Sequence, residues 1–108
     1  MSKTIKLPQE TSNKDELNKI NALVNKYLCN FIAKKFFSPF CNQDGQEISQ
    51  NEYSIGCGIT SSTLSKIKGL DGYNIPMTTI YSICRFENYS LEEFFSEFEK
   101  EYGTNIRP

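Results

Sequence analysis

Residues 48–67, which read ISQNEYSIGCGITSSTLSKI, decide the fold. Ser49 and Glu52 have the spacing of a capping box, in which the serine hydroxyl accepts the Glu52 amide and the carboxylate accepts the Ser49 amide. A short helix is therefore predicted to begin at Gln50. Gly58 is the natural residue for a left-handed C-terminal cap, so this helix cannot run beyond about two turns.

A second short helix is predicted directly after this turn. Thr60 supplies its N-cap, and the helix covers residues 61–68 with Leu64 and Ile67 facing inward. Two short helices joined by a tight turn have the geometry of a helix-turn-helix. The sequence places that motif at residues 49–68.

A long helix is predicted before the motif. Apolar residues recur at steps of three and four from Asn13 to about Phe37, which defines one face of a helix. Its apolar residues are spaced like those of a coiled coil, but over too short a stretch to favour a zipper over core packing. Residues 1–12 are polar and contain a proline, so they are interpreted as a flexible N-terminal arm.

Two more helices are predicted after the motif. Pro76 suits the first turn of a helix whose apolar face carries Met77, Ile80, Ile83 and Cys84. A second capping box then begins a helix over residues 91–102, with Phe94, Phe95 and Phe98 buried. The fold class predicted is thus all-α, with five helices in one domain over residues 13–102 and a C-terminal tail at 103–108.

The charge of the chain is balanced overall but uneven along it. The 108 residues carry 12 basic and 13 acidic side chains, which is not the strongly basic composition that identifies a nucleic-acid binder by itself. Residues 1–36 hold seven lysines and three acidic residues, whereas residues 73–108 hold three basic and six acidic residues. An anionic partner is expected to meet the first third of the chain.

No catalytic or metal-binding pattern is visible. The chain has no histidine and no Cys-x-x-Cys pair, which disfavours a zinc site and an imidazole-based hydrolase. We therefore expect no enzyme activity, no metal and no cofactor. Residues 1–11 lack the apolar run of a signal peptide, and no stretch is long enough to span a membrane, so a cytoplasmic location with reduced thiols is expected.

The four cysteines are expected to differ in exposure. Cys57 and Cys84 occupy apolar positions and are interpreted as core residues. Cys29 and Cys41 remain open, because an exposed thiol near a DNA-binding face would be oxidisable.

The stretch at 48–67 resembles the helix-turn-helix of Cro/repressor-type regulators, the lambda-repressor-like or XRE family. The family pattern is an apolar residue, Ser/Thr-Gln, two residues, Leu-Ala, three residues, Gly-Ile-Ser, three residues and Leu-Ser-Arg/Lys-Ile. Here it stands as Ile48-Ser49-Gln50, Glu52-Tyr53-Ser54, Gly58-Ile59-Thr60 and Leu64-Ser65-Lys66-Ile67. A second stretch, from Ile83-Cys84 to Ser90-Leu91-Glu92-Glu93-Phe94-Phe95, is similar to the family's last helices. The resemblance covers about residues 20–98.

The resemblance implies a lambda-repressor-like fold and a transcriptional regulator that binds double-stranded DNA sequence-specifically, as a homodimer on a two-fold operator. In such regulators the second helix of the motif lies in the major groove. Carried over by position, the base-facing residues are Ser61, Ser62 and Lys66. The expected contacts to the DNA backbone are Gln50, Thr60, Thr63, Ser65, Lys68, Lys34 and Lys35. Gln50 can also buttress the second helix.

The sequence departs from the family pattern in ways that weaken the DNA hypothesis. Tyr53 and Ser54 replace the usual Leu-Ala, and Gly56 costs the first helix of the motif up to about 1 kcal/mol relative to alanine. Residues 36–65 contain no Lys or Arg. Few phosphates can then be neutralised, which predicts modest non-specific affinity.

Two other interpretations stay open. In the first, the hydroxyl run at 61–63 and Lys66 form an ordinary solvated helix surface with no role in binding. The rival function is a helical protein-interaction module, antitoxin-like or an adaptor, that keeps the fold and binds a protein through its acidic C-terminal half. The isoelectric point near 5.5 favours this rival. A dimer contact is expected on the first helix, the last helix or both.

Overall fold

Residues 11–69 and 71–108 are described by the structure, a computed structural model. Over these ranges the backbone forms five α-helices and no strand beyond one isolated antiparallel bridge, between Cys41 and Glu47. The helices are α1 (Thr11–Phe36), α2 (Gln50–Cys57), α3 (Ser61–Lys68), α4 (Met77–Phe86) and α5 (Leu91–Tyr102). The all-α, five-helix prediction is confirmed there.

The N-terminal arm was predicted to extend to residue 12. Thr11 and Ser12 instead belong to α1, which begins ahead of the predicted Asn13. The remainder of the predicted arm, residues 1–10, lies outside the described residues.

The caps of α2 have the predicted geometry. The Ser49 hydroxyl accepts from the Glu52 amide at 3.0 Å, and the Glu52 carboxylate accepts from the Ser49 amide at 3.1 Å. At the other end Gly58 has φ 75° and ψ 31°, and its amide donates to the Ser54 carbonyl at 2.9 Å. Because this left-handed conformation strains any residue with a Cβ, Gly58 sets the point at which α2 stops.

The start of α4 differs from the prediction. Pro76 is the N-cap residue of α4 rather than part of its first turn, and α4 begins at Met77. Ile80 and Ile83 are buried as predicted, but the Met77 side chain is 56% exposed. As the first residue of the helix, Met77 lies at its end, where the core does not cover the side chain.

Aromatic rings join α1 to α5. The Phe31 ring meets Phe94 and Phe98 edge to face, with ring centroids 5.3 and 5.7 Å apart. One helical turn earlier, the Tyr27 ring stacks on Tyr102 at 4.8 Å. We call these rings the α1–α5 contact. Phe94 and Phe98 are buried as predicted, whereas Phe95 is only half-buried.

The α2 and α4 helices approach closely at a glycine. A Cβ built on Gly56 would lie 2.5 Å from the Phe86 ring, so only glycine fits at that position without displacing the ring. The same ring packs against Tyr53 at 4.8 Å, and the Tyr53 hydroxyl donates to Glu87 at 2.6 Å. Gly56, which the sequence marks only as a weak point of the helix, is what allows this packing.

The loop between α1 and α2 is tied to the same region. The Phe37 and Phe40 rings are buried against Tyr53, with centroid distances of 5.4 and 4.8 Å. The Ile48 amide donates to the Phe40 carbonyl at 2.9 Å, which fixes the chain just before the α2 cap. This loop therefore positions the entry to α2.

Candidate nucleic-acid interface

One side of α3 faces away from the core. Leu64 and Ile67 are fully buried, and at about 3.6 residues per turn the opposite side carries hydroxyl and ammonium groups. We call this side the α3 outer face. Its members, in order around the helix, are Lys68, Ser61, Ser65, Ser62 and Lys66, with Lys68 at the edge next to the buried Leu64. Ser61 is half-buried and the others are exposed.

Gln50, the first residue of α2, is hydrogen-bonded to the α3 outer face. The two hydrogens of its Nε2 are shared among three acceptors, the Ser61 carbonyl at 3.0 Å, the Ser61 hydroxyl at 3.1 Å and the Ser65 hydroxyl at 2.9 Å. Its Oε1 accepts from Lys68 Nζ at 3.0 Å. Of the two roles predicted for Gln50, these contacts provide the buttress; a phosphate contact stays a prediction.

The orientation of the Gln50 amide follows from the chemistry of its neighbours. A backbone carbonyl can only accept, so the group facing the Ser61 carbonyl must be Nε2. A lysine ammonium can only donate, so the atom facing Lys68 must be Oε1. The two constraints agree, and the amide has one possible orientation.

The first turn of α3 is capped by threonines. The Thr60 hydroxyl accepts from the Thr63 amide at 3.2 Å and donates to the Thr63 hydroxyl at 3.0 Å. Both threonines thus have a structural role, and the contacts to the DNA backbone that the sequence predicts for them stay predictions. Thr60 is exposed and Thr63 half-buried, so the pair lies at the rim of the α3 outer face.

The two lysines of α3 lie over aromatic rings. Lys66 Nζ is 5.7 Å from the centroid of the Tyr73 ring, and Lys68 Nζ is 5.2 Å from that of Phe40. Tyr73 also lines a cleft with Ser65, Lys66 and the loop that follows α3. Sequence reasoning missed both rings, because no local pattern connects a loop aromatic to a lysine on another element.

Lys34 and Lys35, also predicted to contact the DNA backbone, form ion pairs with α5. Lys34 pairs with Glu101, and Lys35 pairs with Glu97. The hydrogen bond to Glu101 raises the pKa of Lys34. Burial works against the charge of Lys35, but hydrogen bonds to Glu97 and Tyr89 outweigh it and raise that pKa too. The structure therefore engages these two ammonium groups with carboxylates of α5 and does not group them with the α3 outer face.

Three of the four thiols are buried. Cys57 and Cys84 are almost fully buried, which confirms both as core residues, and this burial raises the pKa of Cys57 to about 12 and that of Cys84 to about 11. Cys29, left open by the sequence, is also fully buried, and its thiol donates to the Tyr73 carbonyl at 3.3 Å. Cys41 is half-buried.

Neither a metal cluster nor a membrane-spanning helix occurs in the described ranges 11–69 and 71–108. No group of three or more His, Cys, Asp or Glu side chains there could hold an ion. None of the five helices is long and apolar enough to cross a bilayer. Comparison of the chain with family models, with curated proteins and with solved structures gives no match.

Proposed function

We propose that this protein is a sequence-specific regulator of transcription that binds double-stranded DNA through α3, with a lambda-repressor-like arrangement of its helices. One observation carries the proposal. The Gln50 amide holds α2 and α3 together while the outer side of α3 presents serines and lysines. A short helix held in this way and free of acidic residues suits insertion into the major groove.

Binding-site selection from random duplex DNA tests the proposal directly. The purified chain is expected to enrich a short preferred sequence. On that site, Lys66→Ala should cost about 1–3 kcal/mol and relax the preference at one base pair. Lys68→Ala should instead weaken all duplexes alike and reduce the salt slope by about one unit.

Lys100→Ala is the matched control, because Lys100 is exposed on α5 and the substitution removes the same charge. It should leave the preferred site and its affinity unchanged. A wild-type chain that binds no duplex at low salt would contradict the proposal.

A homodimer on a two-fold site is part of the proposal. One short helix buries too little surface for tight specific binding, and two half-sites about one helical turn apart overcome that limit. Leu17 on α1 is 53% exposed, whereas Phe94 and Phe98 of α5 are already buried in the core. This favours α1 as the contact between copies.

Sedimentation measures that contact. Leu17→Glu should raise the dissociation constant of the dimer at least about tenfold, because a buried apolar contact becomes a buried charge. Asn18→Glu adds the same charge one residue away on an exposed position and should change it little. A wild-type monomer both in solution and on a palindromic duplex would rule the homodimer out.

The second candidate function is a protein-interaction module. The observation that favours it is the pairing of Lys34 and Lys35 with α5, which leaves less positive charge for DNA. The same pairing offsets Glu97 and Glu101, so a basic protein partner would bind the other exposed carboxylates of the acidic C-terminal half, such as Glu92 and Glu99. Duplex binding that is absent at low salt, and unaffected by both lysine variants of α3, would favour this candidate over the DNA one.

A further inference from the structure

The hydrogen bonds of Gln50 orient two serine hydroxyls on the α3 outer face. Nε2 can only donate, so the hydroxyls of Ser61 and Ser65 both act as acceptors toward it. A hydroxyl that accepts from one side turns its own hydrogen away from that donor. The hydrogens of Ser61 and Ser65 therefore point away from Gln50, where they can donate to a ligand.

The rest of the face has the same character. The ammonium of Lys66 carries three donors and no acceptor. Ser62 supplies a further hydroxyl, and α3 contains no Asp, Glu, Asn, Gln or His that could offer a stronger acceptor. Lys68 is directed to Gln50 Oε1, which keeps the amide in the orientation that turns both serines outward. The directed groups of this surface, which are Lys66 and the hydroxyls of Ser61 and Ser65, therefore donate hydrogen bonds, whereas the Ser62 hydroxyl can donate or accept.

Resting on the proposed function, we infer that the α3 outer face selects the major-groove edge of guanine. Guanine is the base that presents two acceptors there, O6 and N7, with no donor. Cytosine and adenine each present an amino donor, which would face the donors of Lys66 and of the serines. Thymine offers one acceptor beside a methyl group. Phosphate oxygens also accept, but they attract this face equally at every sequence.

Modified guanines test the inference on duplexes that carry the selected site. Replacing guanine by 7-deazaguanine removes the N7 acceptor and should weaken binding about 5- to 150-fold. Replacing it by inosine leaves O6 and N7 in place and alters only the minor groove, so affinity should stay within about twofold. The ratio between guanine and 7-deazaguanine sites is the readout.

Gln50→Glu tests the role of the amide. A carboxylate can only accept, so the serine hydroxyls should turn inward to donate to it and lose their outward direction. The ratio between guanine and 7-deazaguanine sites should fall at least about threefold, toward one. Gln46→Glu is the control: it adds the same charge on the exposed loop before α2 and should lower affinity without changing the ratio.

Ser65→Ala provides a second variant that keeps Gln50 and the fold, and it should lower the same ratio by a smaller amount. Selected sites without guanine, or a 7-deazaguanine site bound as tightly as the guanine one, would overturn this inference and leave the proposed function standing. Absence of duplex binding by the wild-type chain would instead overturn both.

Discussion

The α2–α3 unit, which is residues 49–69, holds Lys66 and Lys68, and the end of α1 beside the α1–α5 contact holds Lys34 and Lys35. The two regions use their lysines differently. In the α2–α3 unit, Lys66 and Lys68 lie over aromatic rings, and Lys68 donates to a neutral amide. In the α1–α5 contact, Lys34 and Lys35 pair with carboxylates. The first pair keeps its net positive charge, whereas glutamates offset the charge of the second.

This difference shows that the net charge of a sequence segment is not the same as the charge that the folded protein presents to a partner. By composition the first third of the chain is the most basic, and α1 supplies five of its seven lysines. Folding brings acidic α5 against the end of that helix and offsets two of those charges. In the α2–α3 unit, Lys66 and Lys68 carry little positive charge in total, but they are exposed to solvent, where an anion can reach them.

The α1–α5 contact should contribute most to stability, and Phe31→Ala measures this. Phe31 is 4% exposed and meets three rings of α5, so its loss should reduce the free energy of unfolding by about 3–5 kcal/mol. Urea denaturation checks the value. Leu17→Ala on the same helix removes a side chain that is 53% exposed and should cost much less. Equal costs would show that the contact contributes no more than the exposed end of α1.

The turn of the α2–α3 unit should be the next most sensitive position. At Gly58 a Cβ would meet nothing within 4 Å, so the cost of Gly58→Val comes from its left-handed φ alone, about 1–2 kcal/mol of unfolding free energy. Gly69→Ala is the control, since Gly69 has φ −70°. If the Gly58→Val variant has the same urea midpoint as the wild type, the turn tolerates a side chain at this position.

Acid should affect two glutamates with opposite sign: Glu97, which pairs with Lys35 beside the α1–α5 contact, and Glu87 at the end of α4, which accepts from Tyr53 of α2. The hydrogen bond from Lys35 lowers the pKa of Glu97 below its ordinary 4.5, so the stability from this pair is present above pH 4.5 and is lost as the pH falls through the lowered value. Burial raises the pKa of Glu87, so its contribution is present below pH 4.5 and is lost as the pH rises through the raised value.

Urea midpoints between pH 3 and pH 7 compare the two glutamates. Relative to wild type, Glu97→Gln should be destabilised at neutral pH, with a difference that shrinks in acid. Glu87→Gln should instead become more stable relative to wild type as the pH rises. Two variants that follow the wild-type profile in parallel would contradict both assignments.

The smallest effect is expected from Lys34→Ala on DNA binding. Because Glu101 already pairs with this ammonium, its removal should leave the salt slope of duplex binding unchanged, whereas Lys68→Ala should lower it by about one unit. Titrations at several salt concentrations measure the two slopes side by side. Equal reductions would return Lys34 to the DNA contacts that the sequence predicted.

Sequence patterns predicted the helix ends better than the contacts between helices. The capping boxes at Ser49 and Ser90 and the glycine at 58 act within a few residues, and all three are confirmed. The hydrogen bond from Tyr53 to Glu87 joins positions 34 residues apart, and the lysine pairs of α1 depend on where α5 packs. Such contacts arise only from tertiary packing, which no local spacing encodes.

The candidate site divides in the same way. The resemblance predicted that Gln50 can buttress the second helix of the motif, and Gln50 does donate to Ser61 and Ser65 of α3. The rings under the two lysines of α3 were not predicted, because Phe40 and Tyr73 lie in loops whose paths depend on the core. The sequence predicted the contact between the two neighbouring helices of the motif, but it did not predict the aromatic rings that the loops supply.

The buried thiols make local opening of the fold measurable, because a buried cysteine reacts with a reagent only after its surroundings open. In the native fold an alkylating reagent should modify half-buried Cys41 first, while Cys57 and Cys29 react only when their surroundings separate. Cys29 donates to the Tyr73 carbonyl, so its modification rate follows release of the loop beside Lys66. Cys57 sits at the end of α2 and follows its separation from the core. Mass spectrometry of timed alkylation would thus rank the opening free energies of these segments without introducing any cysteine.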